Sequence, residues 1–412
     1  MALPEQGMSE ADILTALNVK RGRDARWQDG RTFGMVFDGG ESVRAVSESV
    51  ASMFLHENAL NTAAFPSLGE IQSEVVAACA DLFHGAPEGA GFMTSGGTES
   101  VLMAVKAARD RARSERGVTA PEMVVAESAH AAFHKGAHYF GVKVHKTPVR
   151  ADFRADLDAT AALVNTNTVL VVGSAPQYPQ GVIDPIPELA AIASRVGASM
   201  HVDACMGGFV LPFMEMNGET VADWDFRVPG VTTISADIHK LGYAPKGASV
   251  LLHRNKELRR YQTFVFDDWL GGLYASPAMQ GSRPGLPMAT AWAVMHHLGI
   301  SGYRQLTRVA IETTRHLVSG VRAVPQLSVL GEPDAHVFAL SSTELDVFAL
   351  GDALHRRHWH LDRQKPPDSL HATVSAGNAP VVDEFLRDLA ASVTEVSDAV
   401  ADDRGTEYAT LE

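Results

Sequence analysis

The sequence predicts an α/β fold in which a large, mostly parallel sheet is followed by a smaller α+β domain. In the central part of the chain, short β-branched runs alternate with longer amphipathic stretches. This alternation is typical of parallel strands whose connecting helices cover both faces of a sheet. After about Gly299 the pattern changes to helix-like stretches with short strands between them, which indicates a second domain.

Six buried-strand patterns and four helical patterns make up the predicted central domain. Ligands of such sheets bind in the loops that follow the carboxyl ends of the strands. The strands are predicted at 123–125, 142–144, 168–172, 199–202, 232–234 and 249–252, with helices at 98–115, 130–140, 156–164 and 186–196. In the second domain we expect helices over 303–322, 347–357 and 381–400 and strands near 327–330 and 336–340.

Composition excludes several kinds of partner and site. The 412 residues include 35 Lys and Arg against 49 Asp and Glu, and the net charge of −14 argues against nucleic acid or an anionic membrane surface as a partner. Two cysteines, Cys79 and Cys205, form neither a disulfide framework nor a metal-ligand pattern, so we expect a cytoplasmic protein without a metal site. The polar N-terminal sequence predicts no signal peptide or membrane anchor.

The first candidate site is the loop Thr94–Ser100, with the sequence TSGGTES, at the start of a predicted helix. Gly96 and Gly97 let the backbone approach an anion, and the hydroxyls of Ser95 and Thr98 can donate hydrogen bonds to it. A helix N-terminus adds free N–H groups and a favourable dipole. An ordinary helix cap would use the same residues.

Three further features follow predicted strands. His130 comes after the strand at 123–125, where an imidazole can stack on a flat ring. Asp203 ends an apolar strand, and a carboxylate buried there needs a partner such as a protonated pyridine nitrogen. Lys240 follows His239 among apolar residues and glycines, a setting that lowers the pKa of a lysine and suits it to form a Schiff base. Taken singly, such residues are more often helix caps, core residues or a surface pair.

The order of these four features is more informative than any one of them. Pyridoxal phosphate (PLP) needs a phosphate site, a ring-stacking partner, a carboxylate for its pyridine nitrogen and a lysine. Along the chain these features occur in the order anion loop, His130, Asp203 and Lys240. This arrangement predicts a PLP enzyme of fold type I, the aspartate-aminotransferase-like class.

Longer motifs resemble one family within that class. The chain resembles the sphingosine-1-phosphate lyases, which belong to the group II decarboxylase-like PLP enzymes, from about Gly30 to about Val400. The segments that carry the resemblance are TSGGTESVLMAVKAARD, SAHAAFHKGAHYFGVKV, PQYPQGVIDPIPELA, HVDACMGGFVLPFM, DFRVPGVTTISADIHKLGYAPKGASVLL and WLGGLYASPAMQGSRPG.

The resemblance implies a role for each matching residue. Lys240 would hold PLP, Asp203 would pair with its ring nitrogen and His130 would stack on the ring. The phosphate would be bound by Ser95, Gly96, Gly97, Thr98 and His239, with Ser235 a weaker candidate, and Gly281 and Ser282 would reach the cofactor of a partner subunit. A homodimer with shared sites is therefore implied. Each chain would consist of an N-terminal segment 1–57, a PLP-binding domain 58–299 and a small domain 300–412.

The resemblance also implies the substrate site, and there the chain departs from the family. Asn58 and Lys246 match residues that bind the phosphate of the substrate, but Phe37 stands where the lyases have a tyrosine, and Asn61 where they have a histidine. Losing both groups weakens a site for a phosphate, because each charge-assisted hydrogen bond contributes about 1.5–3 kcal/mol.

The reaction implied by the resemblance is cleavage of a 2-amino alcohol to an aldehyde and a shortened amine, such as phosphoethanolamine. The base could be Lys240, Lys246 or Tyr243. An amino-acid α-decarboxylase is the main alternative, and Lys246 or Arg283 could then bind the substrate carboxylate. A PLP-binding protein without activity is the alternative from another class.

Overall fold

A computed structural model describes residues 3–22, 24–397, 399–401 and 404–406. The ends of the predicted segments 1–57 and 300–412 therefore include positions that lie outside the described residues. Within the described chain, no helix combines the length and apolar character needed to cross a membrane.

The centre of the fold is a seven-stranded sheet with the order β1-β7-β6-β5-β4-β2-β3. β7 runs antiparallel to both of its neighbours and the other pairs are parallel, so the predicted mostly parallel sheet is confirmed. The strands are β1 (Ala90–Thr94), β2 (Glu122–Ala126), β3 (Lys143–Thr147), β4 (Thr168–Ser174), β5 (Ser199–Asp203), β6 (Val231–Ala236) and β7 (Ser249–His253).

The strand β1 was not predicted, and its sequence AGFMT explains why. It contains no β-branched run, and Gly91 is required because an added Cβ would lie 2.5 Å from a methyl group of Leu252 and 2.8 Å from the carbonyl oxygen of Leu251. Close packing against β7 therefore selects a residue that weakens the local strand signal.

Helices cover both faces of this sheet and connect it to the rest of the chain. The helix predicted at 303–322 is only the second part of a longer one that is kinked at Gly299, where φ is 54°. The helices are α1 (Glu10–Arg21), α2 (Glu41–Met53), α3 (Pro66–Leu82), α4 (Gly97–Arg116), α5 (Ala132–Phe140), α6 (Leu157–Leu163), α7 (Ile186–Arg195), α8 (Leu211–Met216), α9 (Lys256–Arg259), α10 (Gly285–Arg322), α11 (Val347–Arg356) and α12 (Val382–Glu395).

A four-stranded antiparallel sheet forms the second part of the fold, and a short hairpin projects from the first. The helices α11 and α12 pack on one face of the four-stranded sheet, around a core that also takes in Phe33 from the N-terminal part of the chain. The hairpin strands are β8 (Phe264–Phe266) and β9 (Tyr274–Ser276), and the second sheet contains β10 (Ser328–Val329), β11 (Val337–Ser341), β12 (Asp362–Gln364) and β13 (Ser369–Thr373).

The loop after β4 packs closely against the second sheet at Gly181. Gly181 has φ +75°, and a Cβ at this position would overlap the carbonyl oxygen of Val337 on β11. The adjacent Arg154 side chain forms an ion pair of 2.7 Å with Asp334, whose carboxylate also accepts a hydrogen bond of 2.6 Å from the Ile183 N–H. This junction fixes the second sheet against the first.

We expect Gly181→Ala to destabilise the protein far more than Gly141→Ala. Both glycines have positive φ, +75° and +65°, but nothing lies within 4 Å of an added Cβ at Gly141. Backbone strain alone should cost about 1–2 kcal/mol at either position, and only Gly181→Ala must also move β11. Chemical denaturation of the two variants measures the difference. Equal losses would show that the contact with Val337 does not constrain the junction.

Candidate active site

A cavity of about 330 Å³ lies at the carboxyl ends of the central strands. The four features predicted from the sequence all line it, since its walls include Ser95–Thr98, His130, Asp203, His239 and Lys240. The size is within the range of small-molecule sites. The parallel topology therefore brings together groups that are far apart in the sequence.

The loop before α4 forms one end of the cavity. An added Cβ on Gly97 would lie 2.8 Å from Sγ of Cys205 and 2.9 Å from Oδ2 of Asp237, so a side chain does not fit there. Both the N–H and the hydroxyl of Ser95 donate to Oε2 of Glu99 at 2.7 Å. The donors of Ser95 are thus used within the loop, which leaves the N–H groups at the start of α4 and the Thr98 side chain for an anion.

Lys240 is paired with a carboxylate that the sequence analysis did not assign to the site. Its Nζ lies 2.9 Å from Oδ2 of Asp237, a residue that lines the cavity and is 3% exposed. Burial raises the pKa of Asp237, but the charge of Lys240 and the hydrogen bonds from Lys240 and Ser249 outweigh it, and the pKa lies below its ordinary value. The hydroxyl of Ser249 donates to the other oxygen. Asp237 directly follows β6, as Asp203 ends β5, and this strand-end position was the available signal.

The imidazole of His239 lies beside this pair as a neutral group. Burial lowers its pKa to about 4, and Nδ1 accepts a hydrogen bond of 3.3 Å from the Ala248 N–H. Nε2 lies 3.6 Å from Oδ2 of Asp237. Because Nδ1 is an acceptor, the ring proton is on Nε2.

Asp203 also lines the cavity. Its Oδ1 accepts hydrogen bonds from the Cys205 N–H at 3.0 Å and from the Ser235 hydroxyl at 3.3 Å. Ser235, a weaker candidate for the phosphate, is fully buried and does not line the cavity. Its hydroxyl is directed to Asp203 instead of the loop before α4.

His130 lines the cavity but does not begin a helix as predicted. It precedes α5 by two residues, and its Nδ1 accepts a hydrogen bond of 3.1 Å from the Ala132 N–H. Burial lowers its pKa, and the nearby carboxylate of Asp203 only partly offsets this effect. A neutral ring fixed in this way can stack on a flat ligand.

The residues predicted to bind the substrate fall into two groups, and neither lines this cavity. Nζ of Lys246 lies 4.8 Å from the centre of the Phe37 ring and donates to the His239 carbonyl oxygen at 2.8 Å. Asn58 instead donates to the Ser282 hydroxyl at 3.2 Å, and the carbonyl of the Asn61 side chain accepts from the Ala63 N–H.

The structure separates the three candidate bases. Burial and the charge of Lys240 lower the pKa of Lys246 to about 8, whereas burial raises the pKa of Tyr243. Asp237 holds Lys240 as an ion pair. Of Lys246 and Tyr243, Lys246 is therefore the candidate base whose pKa lies nearer to neutral pH.

Arg283 and Tyr178 differ from expectation in opposite ways. The guanidinium of Arg283 donates to the carbonyl oxygens of Met93 and Ala59, so it holds the chain in place and is a poor candidate for binding a carboxylate. Tyr178 was not predicted, yet it lines the cavity. Its hydroxyl donates to Asp362 at 2.8 Å and its ring stacks on His371 at 3.9 Å, contacts with the second sheet that no local pattern could reveal.

Comparison with known proteins identifies relatives along nearly the whole chain. The pyridoxal-dependent decarboxylase conserved domain matches residues 13–340. The sphingosine-1-phosphate lyase of Arabidopsis thaliana is 44% identical over 403 residues, which are 96% of this chain and 74% of the relative. The solved structure of a sphingosine-1-phosphate lyase of Burkholderia pseudomallei superposes with a TM-score of 0.92 at 39% identity, over 96% of this chain and 93% of that one.

A more distant structure agrees in fold. Lactobacillus brevis glutamate decarboxylase has a TM-score of 0.83 at 20% identity, over 97% of this chain and 96% of that one. These neighbours confirm the fold type I assignment. The cavity also fits PLP in its chemistry, since it combines a side-chain-free glycine at an anion loop, a carboxylate, a histidine and a lysine.

The geometry predicts that PLP attaches covalently to Lys240. Incubation of the purified protein with PLP, reduction with borohydride and peptide mass mapping should find the cofactor on Lys240, because its amine reaches the cavity. Lys240→Ala should lose the label. The neighbouring Lys246→Ala is the matched control and should keep the label. If the label of the unmutated protein is found on Lys246, the assignment to Lys240 is wrong.

Proposed function

Because the chain belongs to the sphingosine-1-phosphate lyase family and is a PLP-dependent lyase, we propose that it cleaves the carbon–carbon bond of a phosphorylated 2-amino alcohol. The substrate class is that of sphingosine 1-phosphate, and the products are an aldehyde and phosphoethanolamine. The observation that carries the proposal is the 44% identity over 96% of this chain to a lyase of that name. The cavity supports it, because lysine, carboxylates and anion loop all meet there.

Lys246 and the residues that line the cavity divide the work of such a reaction. When PLP is bound, it draws electrons from the bond that breaks at the amine-bearing carbon. Nζ of Lys246, with a pKa of about 8, is the base that accepts the proton of the substrate hydroxyl. Below that pKa the amine is protonated and cannot do so. Asp237 holds a proton on Nζ of Lys240, which suits Lys240 to return a proton to the amine-bearing carbon.

A homodimer with shared sites is part of the proposal. Gly281 and Ser282 do not line the cavity of their own chain, although the resemblance assigns them to a cofactor phosphate. The hairpin that precedes them exposes apolar side chains, including Leu270, Leu273 and Trp269, of which Leu270 is fully exposed. An exposed apolar surface of this kind is typical of a protein interface. We further propose a cytoplasmic location, which the two free, buried cysteines support.

The substrate is tested with sphingosine 1-phosphate and its unphosphorylated analogue, assayed for aldehyde. We expect aldehyde from the phosphorylated substrate. Phe37→Tyr should lower its KM by about tenfold, because a phenol hydroxyl adds one charge-assisted hydrogen bond to the phosphate. The unphosphorylated analogue is the control and should be unaffected. Carbon dioxide from an amino acid, without aldehyde from either substrate, would mean that the chain is a decarboxylase and the proposal is wrong.

The dimer is tested by sedimentation of Leu270→Asp. A charge in an apolar interface is strongly unfavourable, so this variant should sediment as a monomer and bind PLP more weakly. Ile300→Asp, at a side chain that is 54% exposed outside the hairpin, is the matched control and should stay dimeric. If the unmutated protein sediments as a monomer, shared sites are excluded.

A further inference from the structure

A row of polar side chains connects two central strands directly behind the cavity. In the parallel pair β5 and β6, His201 is in register with Thr233, and Asp203 with Ser235. Residues two apart on a strand point to the same face, so these four side chains form one continuous row. All four are buried, and His201 and Ser235 are fully so.

Hydrogen bonds join the row from end to end. Nδ1 of His201 lies 2.9 Å from Oγ1 of Thr233, and Nε2 lies 3.1 Å from Oγ of Ser235. Oγ of Ser235 lies 3.3 Å from Oδ1 of Asp203. The thiol of Cys205 also contacts the Ser235 oxygen, at 3.4 Å.

The chemistry of the end groups fixes the direction of each hydrogen bond. Burial lowers the pKa of His201 to about 4, so the ring is neutral and carries one N–H. A carboxylate only accepts, so the Ser235 hydroxyl donates its single proton to Asp203. The Ser235 oxygen must then accept from Nε2 of His201, which leaves Nδ1 to accept from the Thr233 hydroxyl. Burial also raises the pKa of Cys205, which keeps it a thiol and a second donor to Ser235.

The hydrogen bonds of this row make the two carboxylate oxygens of Asp203 different from each other. Oδ1 receives the donors of the protein, namely the Ser235 hydroxyl and the Cys205 N–H. No hydrogen bond of the described residues ends on Oδ2, and Asp203 lines the cavity. One oxygen is thus held by the protein while the other faces the ligand.

We propose that His201 and Ser235 are positioning residues that hold Asp203 as an ionised acceptor, with Oδ2 presented to the ring nitrogen of PLP. They touch neither cofactor nor substrate and act only through Asp203. If the hydrogen bonds of the row ran the other way, Asp203 would have to donate a proton to Ser235, and its protonated form is a much weaker acceptor for the N–H of the ring. The inference rests on the cofactor assignment and is independent of which amine the enzyme cleaves.

Other titratable groups also surround Asp203, and the row must act in their presence. They share the cavity with it and are present whether or not the row is intact. They are His130 from the loop after β2, Cys205 after β5, and Asp237 and Lys240 after β6.

Nuclear magnetic resonance of the PLP-free protein tests the direction of the row without any turnover. With nitrogen-15-labelled histidine, the His201 signal is assigned by its loss in His201→Gln. We expect a neutral ring with its proton on Nε2, unchanged between about pH 5 and about pH 8. A proton on Nδ1, or titration near the ordinary histidine pKa, would overturn the proposal.

Variants test the consequence for the cofactor. Ser235→Ala removes a hydrogen bond to a charged group, so the dissociation constant of PLP should rise by about tenfold. The pH at which the bound ring nitrogen loses its proton, followed by absorbance, should fall by about one unit. Ser199→Ala, on the strand β5 that carries Asp203 but hydrogen-bonded to Arg111, is the control and should change neither quantity.

The conservative replacement distinguishes positioning from packing. The amide of His201→Gln can still donate to Ser235 and should retain most of the PLP affinity, whereas His201→Leu fills the space without a donor and should behave like Ser235→Ala. Equal loss in the Gln and Leu variants, or no effect of Ser235→Ala on the ring-nitrogen titration, would show that the row is only structural.

Discussion

Burial of three charges at one edge of a sheet is the constraint on which the site depends. Asp203, Asp237 and Lys240 all lie where parallel strands end, in the wall of one cavity, and both carboxylates are buried. A buried charge without a partner is strongly destabilising, so every neighbour is constrained. Lys240 neutralises Asp237, and Ser249, Ser235 and a backbone N–H supply the remaining hydrogen bonds. The two carboxylates therefore differ in role: one is paired within the protein, and the other faces the ligand.

The second sheet affects the cavity through a small number of contacts. The loop after β4 carries Tyr178 into the cavity wall, and the same loop is fixed by Gly181 against Val337 and by the Arg154–Asp334 ion pair. The position of Tyr178 is therefore determined by the junction between the sheets as well as by β4. This dependence explains why a residue in the active-site wall has its hydroxyl bound by Asp362, which belongs to the second sheet.

The sequence could predict the sheet and the residues at strand ends because both leave local signals. Runs such as TVLVV mark buried parallel strands, and Asp203 and Lys240 stand out as polar groups that follow apolar runs. Strand β1 escaped because close packing on β7 demands Gly91. The Lys240–Asp237 pair, the turn of Ser95 toward Glu99 and the position of Ser235 behind Asp203 escaped because side-chain direction depends on tertiary packing. Sequence patterns can place a residue at the site but do not determine which neighbour its hydrogen bond reaches.

The two lysines near the cavity differ in function because their neighbours differ. Lys240 has the carboxylate of Asp237 as its partner at 2.9 Å. Lys246 has a carbonyl oxygen and an aromatic ring as neighbours, and the charge of Lys240 helps to lower its pKa to about 8. A proton added to Lys246 would place a second positive charge beside the first, with only one carboxylate to offset both. Lys246 is therefore the better base because burial and the charge of Lys240 lower its pKa more than the carboxylate of Asp237 raises it.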